Sequence, residues 1–168
     1  LVKGASEGAG LGNQFLSHVR TVEAVAMVVR CFEDEHVPHV TPYLNPLEDI
    51  ETVQLELVLA DLAVLERHLE RVRTQAKARP REFEAEIATI ERVLAELRTG
   101  RLVRQMELDE HQRSYLADVA LLTNKPTLYV ANVGEEQLPD GGEMVEAVRA
   151  RARAEGAELV VLSAQVEA

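Results

Sequence analysis

Two long stretches with apolar residues at alternating three- and four-residue spacing constrain the fold most strongly. One stretch follows Pro46, the other follows Pro80, and the second ends before Gly100, a residue type that commonly terminates helices. The apolar positions are Leu55, Val58, Leu62, Leu65, Leu69 and Val72, then Phe83, Ile87, Ile90, Leu94 and Leu97. Such heptad seams are typical of helices that pack lengthwise. The short link between them predicts an antiparallel helical hairpin over 46–108.

Apolar runs on both sides of the hairpin predict the strands of one sheet. These runs are 24–32, 126–133 and 157–164. Continuous apolar runs of this length are typical of strands that are buried on both faces of a parallel sheet. Helices are predicted over 11–22 and over 141–156, the latter between the last two strands. The predicted fold is therefore α/β, with sheet-bearing parts over 1–45 and 109–168 and a helical hairpin inserted between them.

Composition excludes several classes of protein. The formal net charge of −11 argues against non-specific nucleic-acid binding by the whole surface. No apolar stretch approaches the roughly 18–20 residues of a membrane span, and the opening residues do not resemble a signal peptide. The single cysteine fits a reducing compartment, so we expect a cytoplasmic protein that does not associate with a membrane. His36 and His39 lack an evident third ligand, so we expect no metal site there.

The link between the two predicted helices is locally basic. It contains five cations and no acid: Arg71, Arg73, Lys77, Arg79 and Arg81. We call this set the basic tip. Five cations can neutralise phosphates on a partner that the acidic remainder of the chain would repel. A partner-docking site and an ordinary solvated helix turn are both compatible with this pattern.

The opening stretch "LVKGASEGAGLG" is rich in glycine and leads into a predicted helix. A glycine-rich loop before a helix often binds phosphate, but this one lacks the usual lysine and serine, and no P-loop motif occurs in the sequence. Glycine permits positive φ angles and therefore large rearrangements, as a switch requires. The residues concerned are Gly4, Gly8, Gly10 and Gly12. A simply flexible segment is the alternative.

Two of the predicted strands are followed by candidate binding loops. Asn132, Val133, Gly134 and Glu135 follow the second strand, and Ser163 and Ala164 follow the third. In open parallel sheets, ligands bind at the carboxyl ends of the strands. Plain strand-end turns are the alternative for both loops.

Five segments, in this order, resemble the YchF, or Obg-like, ATPases, a family of P-loop NTPases in the translation-factor GTPase class. They are "LVKGASEGAGLGNQFL", "VVRCFEDEHVPHV", "PLEDIETVQLELVLADLAVLERHLERV", "KPTLYVANVGEE" and "VVLSAQVEA". The resemblance covers essentially all 168 residues. It implies part of a G-domain-like parallel sheet with an inserted coiled-coil hairpin, in an internal segment without the family's P-loop and C-terminal TGS domain.

The resemblance also implies roles for the opening glycine-rich loop and for the loops that follow the second and third strands. The opening glycines would form the switch II loop, with the apolar Leu1 where many small GTPases have a water-orienting Gln, so the catalytic group is expected elsewhere. GTPases read guanine with an Asn-Lys-x-Asp loop. The sequence from Asn132 to Glu135 lacks this lysine and has a longer acid. The family therefore implies adenine, held partly by backbone groups around Val133 and Gly134, with further base contacts from Ser163 and Ala164.

For the full-length protein, the resemblance implies hydrolysis of ATP, or of GTP, with Mg²⁺. It also implies association with the ribosome, through the large subunit or ribosomal RNA. We expect this segment alone to be inactive and to bind no nucleotide tightly. Two alternatives stay open. One is a coiled-coil module that docks on a partner and whose docking is regulated by nucleotide. The other is a dimer formed through the heptad seams.

Overall fold

The computed structural model describes residue 4 and residues 11–34, 36–37 and 43–167. Its helices are α1 (Leu11–Val19), α2 (Pro46–Ala76), α3 (Pro80–Arg98), α4 (Glu110–Ser114), α5 (Gly142–Glu155) and α6 (Ala164–Glu167). Its strands are β1 (Val25–Arg30), β2 (Thr127–Asn132) and β3 (Glu158–Leu162). Short 3₁₀ turns cover Val103–Gln105, Leu122–Asn124 and Glu135–Gln137. Every strand and long helix that the sequence predicts is present.

Local signals in the sequence set the ends of the hairpin helices. Asn45 caps α2, since its side-chain oxygen accepts hydrogen bonds from the N–H groups of Leu47 and Glu48 at 3.2 and 3.4 Å. Each hairpin helix has proline in its first turn, where the missing N–H costs nothing. Gly100 follows α3 with a φ of 86°, a left-handed conformation that side chains disfavour. The 31 residues of α2 span about 46 Å.

The two long helices pack antiparallel along their heptad seams. Cross-helix ion pairs join Glu66 to Arg98 and Arg73 to Glu91, each at 2.8 Å, so the later residue of α2 pairs with the earlier residue of α3, as antiparallel packing requires. Seam residues Leu65, Ile90 and Leu97 are fully buried. These three of the seam side chains that were candidates for a dimer interface are therefore covered within one chain.

One predicted seam position is wrong. Leu55 is 49% exposed, and the seam begins instead at Val58. Buried residues between 54 and 61 lie all around α2 rather than along one stripe: Gln54, Glu56, Leu57, Val58, Ala60 and Asp61. A regular heptad does not describe this part of the helix because it packs against several neighbouring segments.

The three strands form one parallel sheet with the order β1-β2-β3. Val28, Val130 and Val160 lie side by side across it. Because the chain leaves β1 and returns in β2 after both long helices, the hairpin is inserted between neighbouring strands of one sheet. This confirms the predicted fold class.

The sheet is buried on one face only. Met27 and Val29 of β1 pack with Tyr129 of β2 into a core that α5 helps to cover. On the other face, Val28 is 67% exposed and Val160 44% exposed. The expectation of strands buried on both faces is therefore wrong for this chain, because the described residues cover the sheet from one side only.

The chain divides into two compact units. One contains Lys3–Val22 and Gln54–Lys125, and the other contains Glu23–Val53 and Pro126–Ala168. Each has its own apolar core, the first along the helical seam and the second beneath the sheet. The domain boundaries at 45 and 108 stay a prediction from the sequence. In the described part of the chain, no helix is long and apolar enough to cross a membrane.

Candidate functional site

The two candidate loops meet at the carboxyl ends of β2 and β3. Asn132 is the last residue of β2 and lies in register with Leu162, the last residue of β3. The backbone N–H of Ala164 donates a hydrogen bond to Oδ1 of Asn132 at 2.9 Å. The side chain of Asn132 therefore links the end of its own strand to the loop that follows the next strand. This edge is where open parallel sheets bind ligands.

Ser163 contributes a buried hydroxyl to the same edge. The residue is 2% exposed, and its Oγ has no hydrogen-bond partner among the described residues. Its backbone carbonyl accepts from the N–H groups of Val166 and Glu167, the last two residues of the short helix α6. A buried hydroxyl without a partner is costly, so its presence beside Ala164 indicates that a ligand or a water completes its hydrogen bonding.

The backbone N–H groups of Val133 and Gly134 already donate hydrogen bonds within the chain. The N–H of Val133 donates to the carbonyl of Leu162 at 2.9 Å, and that of Gly134 donates to Oε1 of Gln137 at 2.9 Å. A base contact through these two donors would require Gln137 or the strand end to rearrange. Glu135, by contrast, is exposed at the start of a 3₁₀ turn, and its carboxylate is open to a ligand. Their predicted roles stay predictions.

Most of the predicted switch II residues lie outside the described residues, namely Leu1, Gly8 and Gly10. Gly4 has a φ of 83°, and an added Cβ would meet no atom within 4 Å, so its conformation rather than crowding favours glycine. Gly12 lies inside α1. Of this set, therefore, the structure shows the special backbone conformation at Gly4 alone.

Acids in the adjoining helices neutralise part of the basic tip. Arg73 contacts Glu70 at 2.9 Å and Glu91 at 2.8 Å, and these hydrogen bonds, that of Glu91 first, raise the pKa of its guanidinium. Arg79 contacts Glu82 at 3.4 Å. Two other members of the set, Lys77 and Arg81, are exposed and form no ion pair within the described residues.

The remaining cation of the basic tip contacts a histidine instead of an acid. A guanidinium nitrogen of Arg71 lies 2.7 Å from Nδ1 of His68, one turn earlier in α2. The sequence segment contains no acid, but helical periodicity brings in glutamates from both sides. The basic tip is thus less positive than its sequence indicates.

The sequence analysis missed a buried carboxylate, Asp61. It is fully buried in α2 and binds both Arg20 and the 3₁₀ turn Leu122–Asn124. A signal was available, since Asp61 interrupts the apolar stretch "LELVLADLAVL". A charge in the middle of such a stretch indicates a buried pair.

Neither metal-ligating side chains nor the single cysteine forms a reactive site in the described residues. Within the described residues, no cluster of three or more His, Cys, Asp or Glu side chains could hold a metal ion. Cys31 is fully buried, and burial, with a smaller effect from the Asp49 carboxylate, raises the pKa of its thiol to about 11. A thiol that is neutral and inaccessible near pH 7 is structural rather than reactive.

Comparison with known proteins gives consistent matches. The chain is 41% identical over 169 residues to the ribosome-binding ATPase YchF of Bacillus subtilis (strain 168), covering 99% of this chain and 46% of that protein. It is 42% identical over 168 residues to the ribosome-binding ATPase YchF of Escherichia coli O157:H7, covering 100% of this chain and 46% of that protein. No family model matches the chain.

A solved structure agrees with these relatives. The structure of the Schizosaccharomyces pombe YchF GTPase superposes with a TM-score of 0.80 at 30% identity, covering 94% of this chain and 44% of that one. The chain thus spans about half the length of the proteins it matches. Sequence and fold lead to the same conclusion: the chain belongs to the YchF, or Obg-like, ATPase family.

Proposed function

We propose that the full-length protein binds and hydrolyses a nucleoside triphosphate, and that this chain supplies the recognition of the base. The observation that carries the proposal is the hydrogen bond from Ala164 to Asn132, which brings two strand-end loops together beside the unpartnered hydroxyl of Ser163. These groups offer a donor and acceptors at one edge of the sheet. The relatives are named as an ATPase and a GTPase, which supports a nucleotide as the ligand.

Adenine is the base we propose. The acid at the end of the loop is Glu135, where guanine readers have an aspartate, and residue 133 is valine instead of lysine. Without the short acid and the lysine, the loop lacks the groups that select guanine. Mg²⁺ would accompany the phosphates, as it does in P-loop NTPases. No residue of this chain is assigned to the chemical step.

The substitution Asn132→Ala in the full-length protein tests the proposal. Titration with ATP and with GTP, in the presence of Mg²⁺, should show ATP affinity lowered about tenfold, since roughly 1–1.5 kcal/mol is lost with one hydrogen bond. Asn124→Ala is the matched control, because Asn124 is exposed in the 3₁₀ turn before β2. Equal ATP affinities for both variants would contradict the assignment of the site.

This segment alone should bind ATP only weakly. Its sequence contains no Gly-x-x-x-x-Gly-Lys motif to hold the phosphates, which contribute most of the charge of the ligand. A sub-micromolar ATP affinity measured on these 168 residues would overturn this expectation.

We further propose that the full-length protein associates with the ribosome through the basic tip, which implies a cytoplasmic location. Support comes from the names of the relatives and from Lys77 and Arg81, whose exposed side chains form no ion pair with any residue that the structure describes. Their charges are free to approach ribosomal RNA phosphates. We propose the large subunit as the partner.

Charge reversal separates tip docking from an ordinary helix turn. The variant Lys77→Glu with Arg81→Glu should reduce ribosome co-sedimentation, and the reduction should be larger at low salt. Arg98→Glu with Arg101→Glu is the matched control, since these cations are exposed but already paired with Glu66 and Glu96. Undiminished co-sedimentation of the tip variant would exclude the tip as the contact.

A further inference from the structure

The segment that precedes β1 is joined to the hairpin by a branched set of hydrogen bonds. Arg20, just after α1, donates to Oδ1 of Asp61 at 3.0 Å and to the carbonyl of Ala60 at 3.0 Å, both in α2. It also donates to the carbonyl of Ala120 at 2.6 Å. One guanidinium therefore connects three parts of the chain that are distant in sequence.

Asp61 receives these bonds at the centre of the cluster. Its side chain is fully buried, and besides Arg20 it accepts from the N–H of Leu122 at 2.9 Å, and from the N–H and the hydroxyl of Thr123 at 2.8 and 2.9 Å. Both carboxylate oxygens are thus occupied. A buried charge held in this way fixes geometry, since a shift of any partner would leave a charge or a donor without a partner.

Two further contacts attach the same segment to the same unit. The N–H of Gly4 donates to Oε1 of Glu56, a carboxylate of α2 that is 2% exposed. The ammonium of Lys125 donates to the carbonyl of Val22 at 2.6 Å. Polar bonds therefore attach both ends of the segment between residues 4 and 22 to the hairpin unit.

The division into compact units agrees with these bonds. The segment belongs with Gln54–Lys125, the unit of the hairpin seam, whereas all three strands belong to the other unit. The resemblance to the family places switch II in this opening segment. A segment that responds to the nucleotide would thus be built into the hairpin unit.

We propose that Arg20 and Asp61 lock α1 to the hairpin. A nucleotide-dependent displacement of α1 would then move the part of α2 around Asp61, here called the hairpin base, with it. This inference rests on the proposed function, since it requires that nucleotide binding displaces the α1 segment. Arg20 and Asp61 are positioning residues that contact no nucleotide in this account. Their effect is to couple nucleotide state to the docking of a partner on the hairpin, as a two-state element biased from one site can do.

Hydrogen exchange of the full-length protein, with and without a non-hydrolysable ATP analogue, tests the lock. In the unaltered protein, we expect the analogue to change the exchange of amides in α1 and of amides in α2 between Val58 and Val72 together, each by about fivefold or more. In Asp61→Asn, we expect the change in α1 to persist and the change in α2 to disappear.

Two more variants keep the test decisive. Arg20→Gln removes the cation at a side chain that is 20% exposed, so it serves if Asp61→Asn does not fold. Arg98→Gln is the control, because it removes an exposed cation of α3 that pairs with Glu66 of α2, the helix that contains Asp61. It should behave as the unaltered protein does.

The outcomes separate this inference from the proposed function. If titration shows no binding of the analogue, the proposed function fails and the inference fails with it. If the analogue binds and α1 responds without α2 in the unaltered protein, the lock is contradicted while the function stands. The lock is also contradicted if the responses of α1 and α2 stay equal in Asp61→Asn and in Arg20→Gln.

Discussion

The hairpin uses charge in opposite ways at its base and at its tip. At the base, the carboxylate of Asp61 is fully buried, and hydrogen bonds from Arg20 and from the 3₁₀ turn at Leu122–Asn124 occupy both of its oxygens. At the tip, the ion pairs of Arg73 and Arg79 join side chains that are about half exposed or more. One helix thus carries a buried, fully bonded charge and a set of charges on the surface.

This difference indicates distinct tasks for the two ends. Buried charges must be compensated, and their partners are therefore fixed in position. Exposed ion pairs contribute little to stability and exchange partners readily in water or salt. The base is suited to holding the hairpin and α1 in one arrangement, and the tip is suited to meeting a partner.

The largest effect should follow from Asp61→Asn. Asparagine offers one acceptor oxygen where the carboxylate uses two, and its amide group would face a backbone N–H or the guanidinium of Arg20. We expect the free energy of unfolding to fall by about 3 kcal/mol, the cost of breaking a buried pair. Urea denaturation followed by circular dichroism measures this change.

If Asp61→Asn lowers the free energy of unfolding by less than about 1 kcal/mol, the buried pair at the hairpin base contributes no more than an exposed ion pair does. The contrast between a structural hairpin base and a basic tip that contributes little to stability would then be wrong. Asp118→Asn provides the matched control, because Asp118 is exposed and the same chemical change there removes no buried bond.

A much smaller effect on stability should follow at the tip. Replacing Arg73 and Arg79 by Gln removes ion pairs whose partners are Glu70, Glu91 and Glu82. Because water and salt already screen these exposed charges, we expect the denaturation midpoint to stay within experimental error. A clear drop in the midpoint, lost again in high salt, would show that the tip is a structural element after all.

The smallest effect should appear at Cys31, which lies in the unit of the sheet. Burial raises the pKa of its thiol to about 11, so below pH 9 the thiolate is rare, and the rate of alkylation should rise as pH approaches 11. If the effect of Asp61→Asn is confined to the hairpin unit, we expect the rate of Cys31 alkylation at pH 8 to be unchanged in that variant. A faster reaction would show that the damage spreads to the sheet.

Features governed by neighbouring residues were predictable from the sequence. Pro46, Pro80 and Gly100 mark helix ends through their own backbone restrictions, and the observed bounds follow them within about two residues. Asp109 caps α4, with its carboxylate accepting from the N–H of Gln112 at 2.8 Å. Such signals act within one turn, so a single sequence contains them.

Features that depend on distant partners were not predictable. The exposure of Val28 depends on what covers the sheet, which the apolar run itself does not reveal. The partners of Asp61 lie about 40 and 60 positions away, at Arg20 and Thr123. In the candidate site, the sequence placed Asn132 and Ala164 at the same edge, but their hydrogen bond and the buried state of Ser163 required the structure.

A double-mutant cycle on Arg20 and Asp61 tests the central claim, that one buried pair fastens α1 to the hairpin, most directly. Native-state hydrogen exchange of the seam amides at Leu65 and Ile90 would give the opening free energy for Arg20→Gln, Asp61→Asn and the double variant in the full-length protein. We predict a coupling of about 1 kcal/mol or more between the two substitutions. Additive effects, within about 0.5 kcal/mol, would contradict the claim.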